Sequence, residues 1–257
     1  MTNVYNSKII VLGDTGVGKT ALLNRLIHNQ YQYSPIATIG VDMLTYTIIV
    51  DKSDKSDKIN QNNKNNQNNK NNQNNKNNQN NKNNKKNKNK KKDKYSYQIY
   101  FWDTSGDRRF IHLTSSYFEN SVIAIVIFDL INESSFIDID YWIDQYYKYY
   151  PSGTIILVGN KSDLLEKKVS QEMIDKKIEQ LKCSYIEVSA NTGYNINELE
   201  QSIVTELGKL VESGVIKLSS EYQYTSFPNS FTNIIRLSNN DNQDNDSFWD
   251  CSKCTIS

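Results

Sequence analysis

Cysteine is scarce in this chain, with three residues among 257. The first seven residues contain no basic segment followed by a long apolar stretch, so no secretory signal is expected. The expected setting is therefore the reducing cytoplasm, where disulfides rarely form. Cys183 lies beside an apolar segment and is expected to be a core residue, whereas Cys251 and Cys254 lie close to the end of the sequence.

Long apolar runs are also missing. The longest one, residues 122–128, is far shorter than the roughly 18 residues that span a bilayer. A run of this length and composition suits a strand buried on both faces. The sequence therefore excludes a transmembrane helix and predicts a soluble body.

A large net charge is absent as well, since the whole chain carries only +1. The segment 51–94 alone contains 14 lysines and 4 aspartates, a charge of +10, which leaves −9 for the remainder. The near-neutral total thus combines a basic insertion with an acidic body. No nucleic-acid partner is expected.

Short apolar runs rich in β-branched and aromatic residues alternate with segments of helical spacing. The runs predicted to form strands are residues 8–12, 99–102, 122–128, 154–158 and 185–188. Between them, apolar side chains recur every three or four residues, for example from Phe136 to Tyr150, which predicts helices. This alternation predicts an α/β fold of three layers, with a mostly parallel sheet covered by helices on both faces.

Two consecutive segments, residues 41–50 and 95–102, break the alternation because no helix separates them. They are expected to pair as an antiparallel hairpin at the sheet edge. Their connection contains four copies of Gln-Asn-Asn-Lys-Asn-Asn over residues 61–84 and then a lysine-rich stretch. This composition cannot build a core, so residues 51–94 are predicted to be a disordered insertion on the hairpin tip.

The insertion has two interpretations. It is either a passive passenger on the hairpin or a basic segment whose lysines contact anionic lipid or an acidic partner. The passive interpretation is favoured, since low-complexity tracts commonly lack packed structure. From residue 212 onward the chain is again polar, and residues 212–257 are predicted to form a flexible tail.

A glycine-rich run stands between the first predicted strand and a helix predicted from Lys19 to His28. It fits the pattern G-x-x-x-x-G-K-[ST], whose backbone N–H groups and helix N-terminus cradle phosphate oxygens. The lysine neutralises the β- and γ-phosphates, and the hydroxyl of the last residue ligates Mg²⁺. The predicted nucleotide-binding residues of this phosphate loop are Gly13, Asp14, Thr15, Gly16, Val17, Gly18, Lys19 and Thr20.

The base is selected elsewhere, because a phosphate loop does not contact it. Asn160, Lys161 and Asp163 follow the strand predicted over residues 154–158. The Asp163 carboxylate can accept hydrogen bonds from guanine N1–H and its exocyclic amine, whereas adenine has an acceptor at N1. Guanine is therefore expected, and an ATP-using enzyme is disfavoured.

Two further segments complete a magnesium and phosphate sensor. Asp103 ends the second hairpin strand, where a carboxylate can hold Mg²⁺, and the backbone N–H of Gly106 can approach the γ-phosphate. Thr38 is a predicted Mg²⁺ ligand together with Thr20 and Asp103. Segments held by the γ-phosphate are released when it leaves, so the sequence predicts a switch between GTP and GDP.

The order of these motifs, followed by Ser189 and Ala190, resembles that of the Ras superfamily of small GTPases over residues 5–211, apart from the insertion. The run 39–42 beside Thr38 and the Trp102-Asp103-Thr-x-Gly106 context resemble the Rab branch. The resemblance implies a six-stranded GTPase fold with one antiparallel edge strand and a GTPase domain over residues 1–211. It also implies that Ala190 offers its N–H to guanine O6 and that Tyr31 lies against the base. The implied effector loop comprises Pro35, Ile36, Ala37, Thr38, Ile39, Gly40, Val41, Asp42 and Met43.

One departure concerns hydrolysis. Where the family usually has glutamine after the glycine, this chain has Asp107, followed by Arg108 and Arg109. An ionised aspartate only accepts hydrogen bonds and adds negative charge near the phosphates, so hydrolysis with Asp107, Thr38 and Lys19 as the catalytic set is expected to be slow. Alternatively, Asp107 swings out, and Arg108 or a partner protein supplies the missing donor. Thr15 either restricts the attacking water further or is merely tolerated.

The last four residues, from Cys254 to Ser257, fit the C-a-a-X prenylation signal. Cys254 is the predicted lipid attachment site and Cys251 a second candidate, with farnesyl suggested by the final serine. One lipid anchors only marginally, so Cys251 acylation or the insertion would have to supply a second signal. We therefore expect a prenyltransferase as partner, with the protein on the cytoplasmic face of a membrane and a cytosolic pool.

The sequence thus predicts a Mg²⁺-dependent, GTP- and GDP-binding switch of slow hydrolysis. The resemblance implies a role in vesicle traffic, with an exchange factor, a GTPase-activating protein and effectors as partners. The alternative is a membrane adaptor that stays loaded with GTP because Asp107 has disabled hydrolysis.

Overall fold

One twisted sheet organises the part of the chain that the structure describes. The computed structural model describes residues 3–31, 37–51 and 94–218. The strands are β1 (Asn3–Leu12), β2 (Val41–Asp51), β3 (Lys94–Thr104), β4 (Ile123–Asp129), β5 (Thr154–Asn160) and β6 (Ser184–Glu187). Their order in the sheet is β2-β3-β1-β4-β5-β6. All neighbouring pairs are parallel except β2 with β3, so the predicted α/β sheet with one antiparallel edge strand is confirmed.

Helices cover both faces of this sheet. They are α1 (Lys19–His28), α2 (Ile111–Thr114), α3 (Glu133–Ile137), α4 (Ile139–Tyr149), α5 (Gln171–Leu181) and α6 (Ile196–Glu212). A short 3₁₀ turn at Arg108–Phe110 precedes α2, and another at Ser115–Tyr117 follows it.

The strand residues supply two cores because side chains alternate across a sheet. On β1, Ile9 and Val11 pack with α1 and α6, while Ile10 and Leu12 pack with α3 and α4 on the other face. All four are fully buried. This two-sided burial explains why the central strands are continuously apolar in sequence.

Two elements differ from their predicted form. β1 begins at Asn3 rather than Lys8, because its polar first half pairs with the start of β3. The helix predicted as one piece from Phe136 to Tyr150 is divided into α3 and α4 at Asp138. The backbone of Asp138 has a ψ of −4°, which tightens the turn at this point, and its N–H donates to the carbonyl of Ser134.

The hairpin extends one residue into each end of the predicted insertion 51–94, where Asp51 pairs with Lys94. Residues 52–93 lie outside the described residues, so the predicted disorder of the insertion stays a prediction. At the other end of the domain, the chain turns at Gly214 after α6, buries Ile216 and brings Leu218 into an antiparallel bridge with Tyr5. The rest of the predicted tail, residues 219–257, lies outside the described residues. None of the helices in the described ranges combines the length and apolar character needed to cross a bilayer.

Candidate nucleotide-binding site

The predicted site residues meet at one edge of the sheet. The glycine-rich run follows β1, Asp103 lies near the end of β3, and Asn160 ends β5. In a parallel sheet the carboxyl ends of neighbouring strands open onto the same edge, which is where α/β proteins bind ligands. The fold therefore assembles segments that are separated by more than 100 residues in sequence.

Two positions in the phosphate loop require glycine. Gly13 has a φ of 137°, and a Cβ there would lie 2.2 Å from the carbonyl oxygen of Ile127. Gly18 has a φ of 96°, and a Cβ there would lie 2.4 Å from the side-chain nitrogen of Asn160. Gly18 is also the residue from which α1 starts. The pattern of the motif thus follows from left-handed backbone and close packing.

Lys19 is the buried cation of this loop. Its Nζ donates to the backbone carbonyls of Gly13 and Asp14, each at 2.9 Å, and only 6% of the residue is exposed. Burial lowers the pKa of Lys19 to about 8, while the negative charges of Asp103 and Asp14 act in the opposite direction. A buried ammonium at the N-terminus of a helix is suited to phosphate oxygens.

Three oxygen-bearing side chains from three segments meet beside Lys19. The hydroxyls of Thr20 and Thr38 lie 3.0 Å apart, and Thr20 donates to Asp103 Oδ2 at 2.5 Å. Asp103 is buried, and its other oxygen, Oδ1, has no hydrogen-bond partner. Burial raises the pKa of Asp103, while the hydrogen bond from Thr20 and the charge of Lys19 act to lower it.

This donor set fits Mg²⁺, which binds hard oxygen ligands and usually one or two carboxylates. The unpartnered Oδ1 of Asp103 is the kind of buried acceptor that a cation would satisfy. No group of three or more His, Cys, Asp or Glu that could hold a metal occurs within the described ranges. Thr20, Thr38 and Asp103 are thus the residues that would hold the ion, which would neutralise negative charge on the phosphates.

Asn160 connects the phosphate loop to the segment around Ala190. Its Nδ2 donates to the carbonyl of Val17 at 2.8 Å, and its Oδ1 accepts from the backbone N–H of Ala190 at 3.1 Å. Asn160 is 2% exposed. The N–H that the resemblance assigns to guanine O6 is therefore bonded to Asn160 in this structure.

Asp163 faces solvent with both carboxylate oxygens already oriented. Ser189 donates to Oδ1 at 2.6 Å and Asn191 to Oδ2 at 3.0 Å. Burial alone would raise the pKa of Asp163, but these hydrogen bonds outweigh it and lower the pKa. The carboxylate is thus ionised near neutral pH, the form that accepts from guanine N–H groups.

Two supporting residues, Asp129 and Arg25, were not found by sequence reasoning. Asp129 pairs with the predicted residue Lys161 at 2.7 Å, and Lys161 has a φ of 67°. Arg25 on α1 donates to the carbonyls of Ala190 and Asn191 at 2.8 and 2.7 Å. Asp129 directly follows the strand predicted over residues 122–128 and ends the observed β4 at the same sheet edge, a position that could have identified it, whereas Arg25 has no comparable signal in the sequence.

The carboxylate of Asp107 is hydrogen-bonded to the nearby Arg109. Its carboxylate accepts from the backbone N–H of Arg109 at 2.9 Å and from the Arg109 guanidinium at 2.6 to 3.0 Å. These hydrogen bonds lower the pKa of Asp107 to about 2. Asp107 is thus an ionised cap of the turn Arg108–Phe110, paired with an arginine side chain that is 83% exposed.

The predicted effector loop is described only in part. Residues 37–43 are described, and within them Ile39 is 82% exposed while Gly40 accepts from the backbone N–H of Ser105 at 2.8 Å. Pro35 and Ile36 lie outside the described residues, as do Cys251 and Cys254. Tyr31, which the resemblance places against the base, follows α1 and is partly exposed.

Comparison with known proteins agrees with this geometry. The family model described as "Ras family" matches residues 66–209, and the one described as "Ras of Complex, Roc, domain of DAPkinase" matches residues 8–65. The border between the two matches falls inside the predicted insertion. The chain is also 29% identical over 211 residues to GTP-binding protein ypt3 of Schizosaccharomyces pombe, covering 81% of this chain and 79% of that protein. The chain therefore belongs to the Ras family, as a Rab-like GTPase.

Proposed function

We propose that this GTPase is a Mg²⁺-dependent switch that hydrolyses GTP slowly and acts on a membrane in vesicle traffic. The observation that carries the proposal is the cluster of Thr20, Thr38 and Asp103. These side chains come from the phosphate loop, the predicted effector loop and the end of β3, and Thr20 lies within hydrogen-bond distance of both Thr38 and Asp103. A ligand bound at this cluster would hold all three segments in one arrangement.

The exposed part of the predicted effector loop supports a readout by partner proteins. Thr38 belongs to the cluster, while Ile39 next to it is exposed. An apolar side chain held at the surface by its neighbour's contact with the site can report whether the site is filled. We assign effector binding to residues 35–43, and we expect an exchange factor and a GTPase-activating protein to act on the same segments.

Slow hydrolysis is proposed from the state of Asp107. The carboxylate is ionised and accepts hydrogen bonds from Arg109. An ionised carboxylate has no hydrogen to donate toward the charge that develops on the phosphates. The alternative function, a GTP-loaded adaptor without hydrolysis, is favoured by the same observation. Both functions use guanine nucleotide, and they differ in how much of the bound GTP is hydrolysed to GDP.

Nucleotide analysis of the purified protein tests both functions. Bound GDP, with conversion of loaded GTP to GDP in a Mg²⁺-containing buffer, is expected for the switch. Bound GTP that persists through a long incubation would support the adaptor instead. Competition by ATP at equal concentration against bound guanine nucleotide would contradict both.

Membrane attachment through Cys254, with Cys251 as a second candidate, is part of the proposal and rests on the sequence alone. Three expectations depend on this attachment: a prenyltransferase as partner, a location on the cytoplasmic face of a membrane, and a cytosolic pool. Traffic between membranes is inferred from the Rab-like branch of the family.

A further inference from the structure

We propose that Arg108 is a positioning residue for GTP hydrolysis, fastening the segment that carries Gly106 and Asp107 to the phosphate loop and to α4. The inference rests on the GTPase reaction of the family and names a further residue for it. Arg108 does not contact the reacting atoms in this proposal. It acts by holding its neighbours in place.

The contacts of Arg108 all point to the body of the domain. Its guanidinium lies 2.5 Å from Asp138 Oδ2, at the junction of α3 and α4, and 3.9 Å from Asp14 Oδ1 in the phosphate loop. It also lies over the ring of Tyr141, 4.3 Å from the centroid. The Arg108 side chain is 45% exposed but contacts three residues of the domain body, whereas the 83% exposed Arg109 contacts only its near neighbours Asp107 and Phe110 among the contacts described.

The phosphate-loop partner is itself fixed. Asp14 Oδ1 accepts from the indole N–H of Trp142 at 2.7 Å, and Trp142 is 1% exposed. The carbonyl of Asp14 accepts from Lys19. Arg108 thus joins a residue whose side chain is anchored in the core and whose backbone holds the buried lysine.

A second contact between the same two segments lies close by. A Cβ placed on Gly106 would lie 2.4 Å from the carbonyl carbon of Asp14 and 2.4 Å from the backbone nitrogen of Thr15. The backbone at Gly106 and the side chain at Arg108 therefore attach the segment to the phosphate loop at two points. Two contacts constrain the orientation of the segment relative to the phosphate loop more than the Gly106 contact alone would.

The two acidic partners of Arg108 require a positively charged side chain between them. Asp14 and Asp138 are close enough to interact, and burial together with Asp138 raises the pKa of Asp14. Arg108 pairs with both carboxylates and offsets their repulsion. A neutral side chain at position 108 would leave the two carboxylates facing each other, and an acidic one would repel both.

In this proposal Arg108 does not supply the missing hydrogen-bond donor, because its guanidinium is held by Asp138, Asp14 and Tyr141. Its effect on the reaction is instead geometric, because hydrolysis depends on how well the groups around the attacking water are oriented. Removing Arg108 is therefore expected to slow hydrolysis while leaving GDP affinity within about twofold, since neither the Mg²⁺ cluster nor Asp163 is altered.

The test compares single-turnover hydrolysis by full-length protein loaded with GTP and Mg²⁺. Arg108→Ala is expected to slow the reaction about threefold to tenfold, the effect of losing a partly exposed ion pair and a cation–π contact. Arg108→Glu is expected to be at least as slow. The exchanged pair Arg108→Glu with Asp138→Arg is expected to recover to within about threefold of the wild type, because an arginine again lies between Asp14 and an acidic partner. Lys177→Ala is the matched control, since it removes an ion pair to Asp140 on α4 that does not reach the phosphate loop.

Hydrogen–deuterium exchange of residues 106–114 in the GTP-loaded proteins supplies a readout independent of hydrolysis. Faster exchange in Arg108→Ala, reversed in the exchanged pair, is expected. Unchanged exchange and an unchanged rate in Arg108→Ala would overturn the proposal, as would an exchanged pair no better than Arg108→Glu alone. If the wild-type protein hydrolyses no GTP, faster exchange in Arg108→Ala than in the wild type would still sustain the positioning role and would contradict only the hydrolytic switch.

Discussion

Asn160 offers the sharpest test of how the site is held together, because its side-chain amide forms hydrogen bonds to two separate segments. The Asn160→Ala variant leaves the carbonyl of Val17 and the N–H of Ala190 without their partner. Both hydrogen bonds are buried. Each buried group left unsatisfied costs about 1–3 kcal/mol, so the variant is expected to lose roughly 2–6 kcal/mol of unfolding free energy. The lower end applies if water enters the space vacated by the side chain.

This loss is measurable as a shift of the melting temperature. For a domain of this size, 1 kcal/mol corresponds to about 2–4 °C, so a fall of at least about 4 °C is expected. Circular dichroism melts in saturating GDP and Mg²⁺ supply the measurement. Bound nucleotide also stabilises the folded state by mass action, so melts at two GDP concentrations separate the intrinsic loss from weaker binding.

Asn132→Ala is the matched control. Asn132 makes one exposed capping hydrogen bond, to the backbone N–H of Ser134 at 3.2 Å, at the start of α3. Losing such a cap costs about 1 kcal/mol. The reasoning about Asn160 would be refuted if its melting temperature fell no further than that of Asn132→Ala.

Three further predictions concern hydrolysis, the insertion and the lipid. Asp107→Gln is expected to raise the single-turnover rate of GTP hydrolysis about tenfold or more, equivalent to roughly 1.4 kcal/mol of barrier, and equal rates would end the idea that the aspartate slows the reaction. Replacing residues 52–93 by a two-residue turn is expected to change the unfolding free energy by less than about 2 kcal/mol, because closure cost grows slowly with loop length; a larger loss in denaturant titration would show that the insertion contributes to the fold. Cys254→Ser is expected to move the protein from the membrane to the soluble fraction of cells, and an unchanged distribution would count against lipidation.

The sheet and the phosphate loop could be predicted because their signals are local. Central strands buried on both faces must be apolar throughout, and Gly13 and Gly18 occupy backbone positions that other residues do not tolerate. The helix α1 was predicted with its observed bounds for the same reason, since the loop fixes where it starts. The signal for each of these features lies within about ten consecutive residues.

The contacts that hold the site together could not be predicted in this way. Trp142 lies in the segment whose spacing predicts a helix, and it is buried, but its indole N–H reaches Asp14, 128 positions away in sequence. Asp138 lies in the same segment, whereas in the structure it marks the break between α3 and α4 and binds Arg108. Pairings of this kind depend on which helix packs beside which loop. The spacing of residues along the chain does not contain that information.

The structure also gives Asp107 a role that the family glutamine would perform less well. Aspartate is among the best residues at the start of a helical turn, since its short side chain reaches the backbone N–H two or three positions ahead. Asp107 does this with Arg109 at the start of the turn Arg108–Phe110. The same substitution that removes a donor from the reaction therefore orders the turn that carries Arg108 toward Asp138. Under the proposed function, an ordered segment without a water-orienting amide is expected to give a long-lived GTP-bound form, in which hydrolysis would depend on a donor from a partner protein.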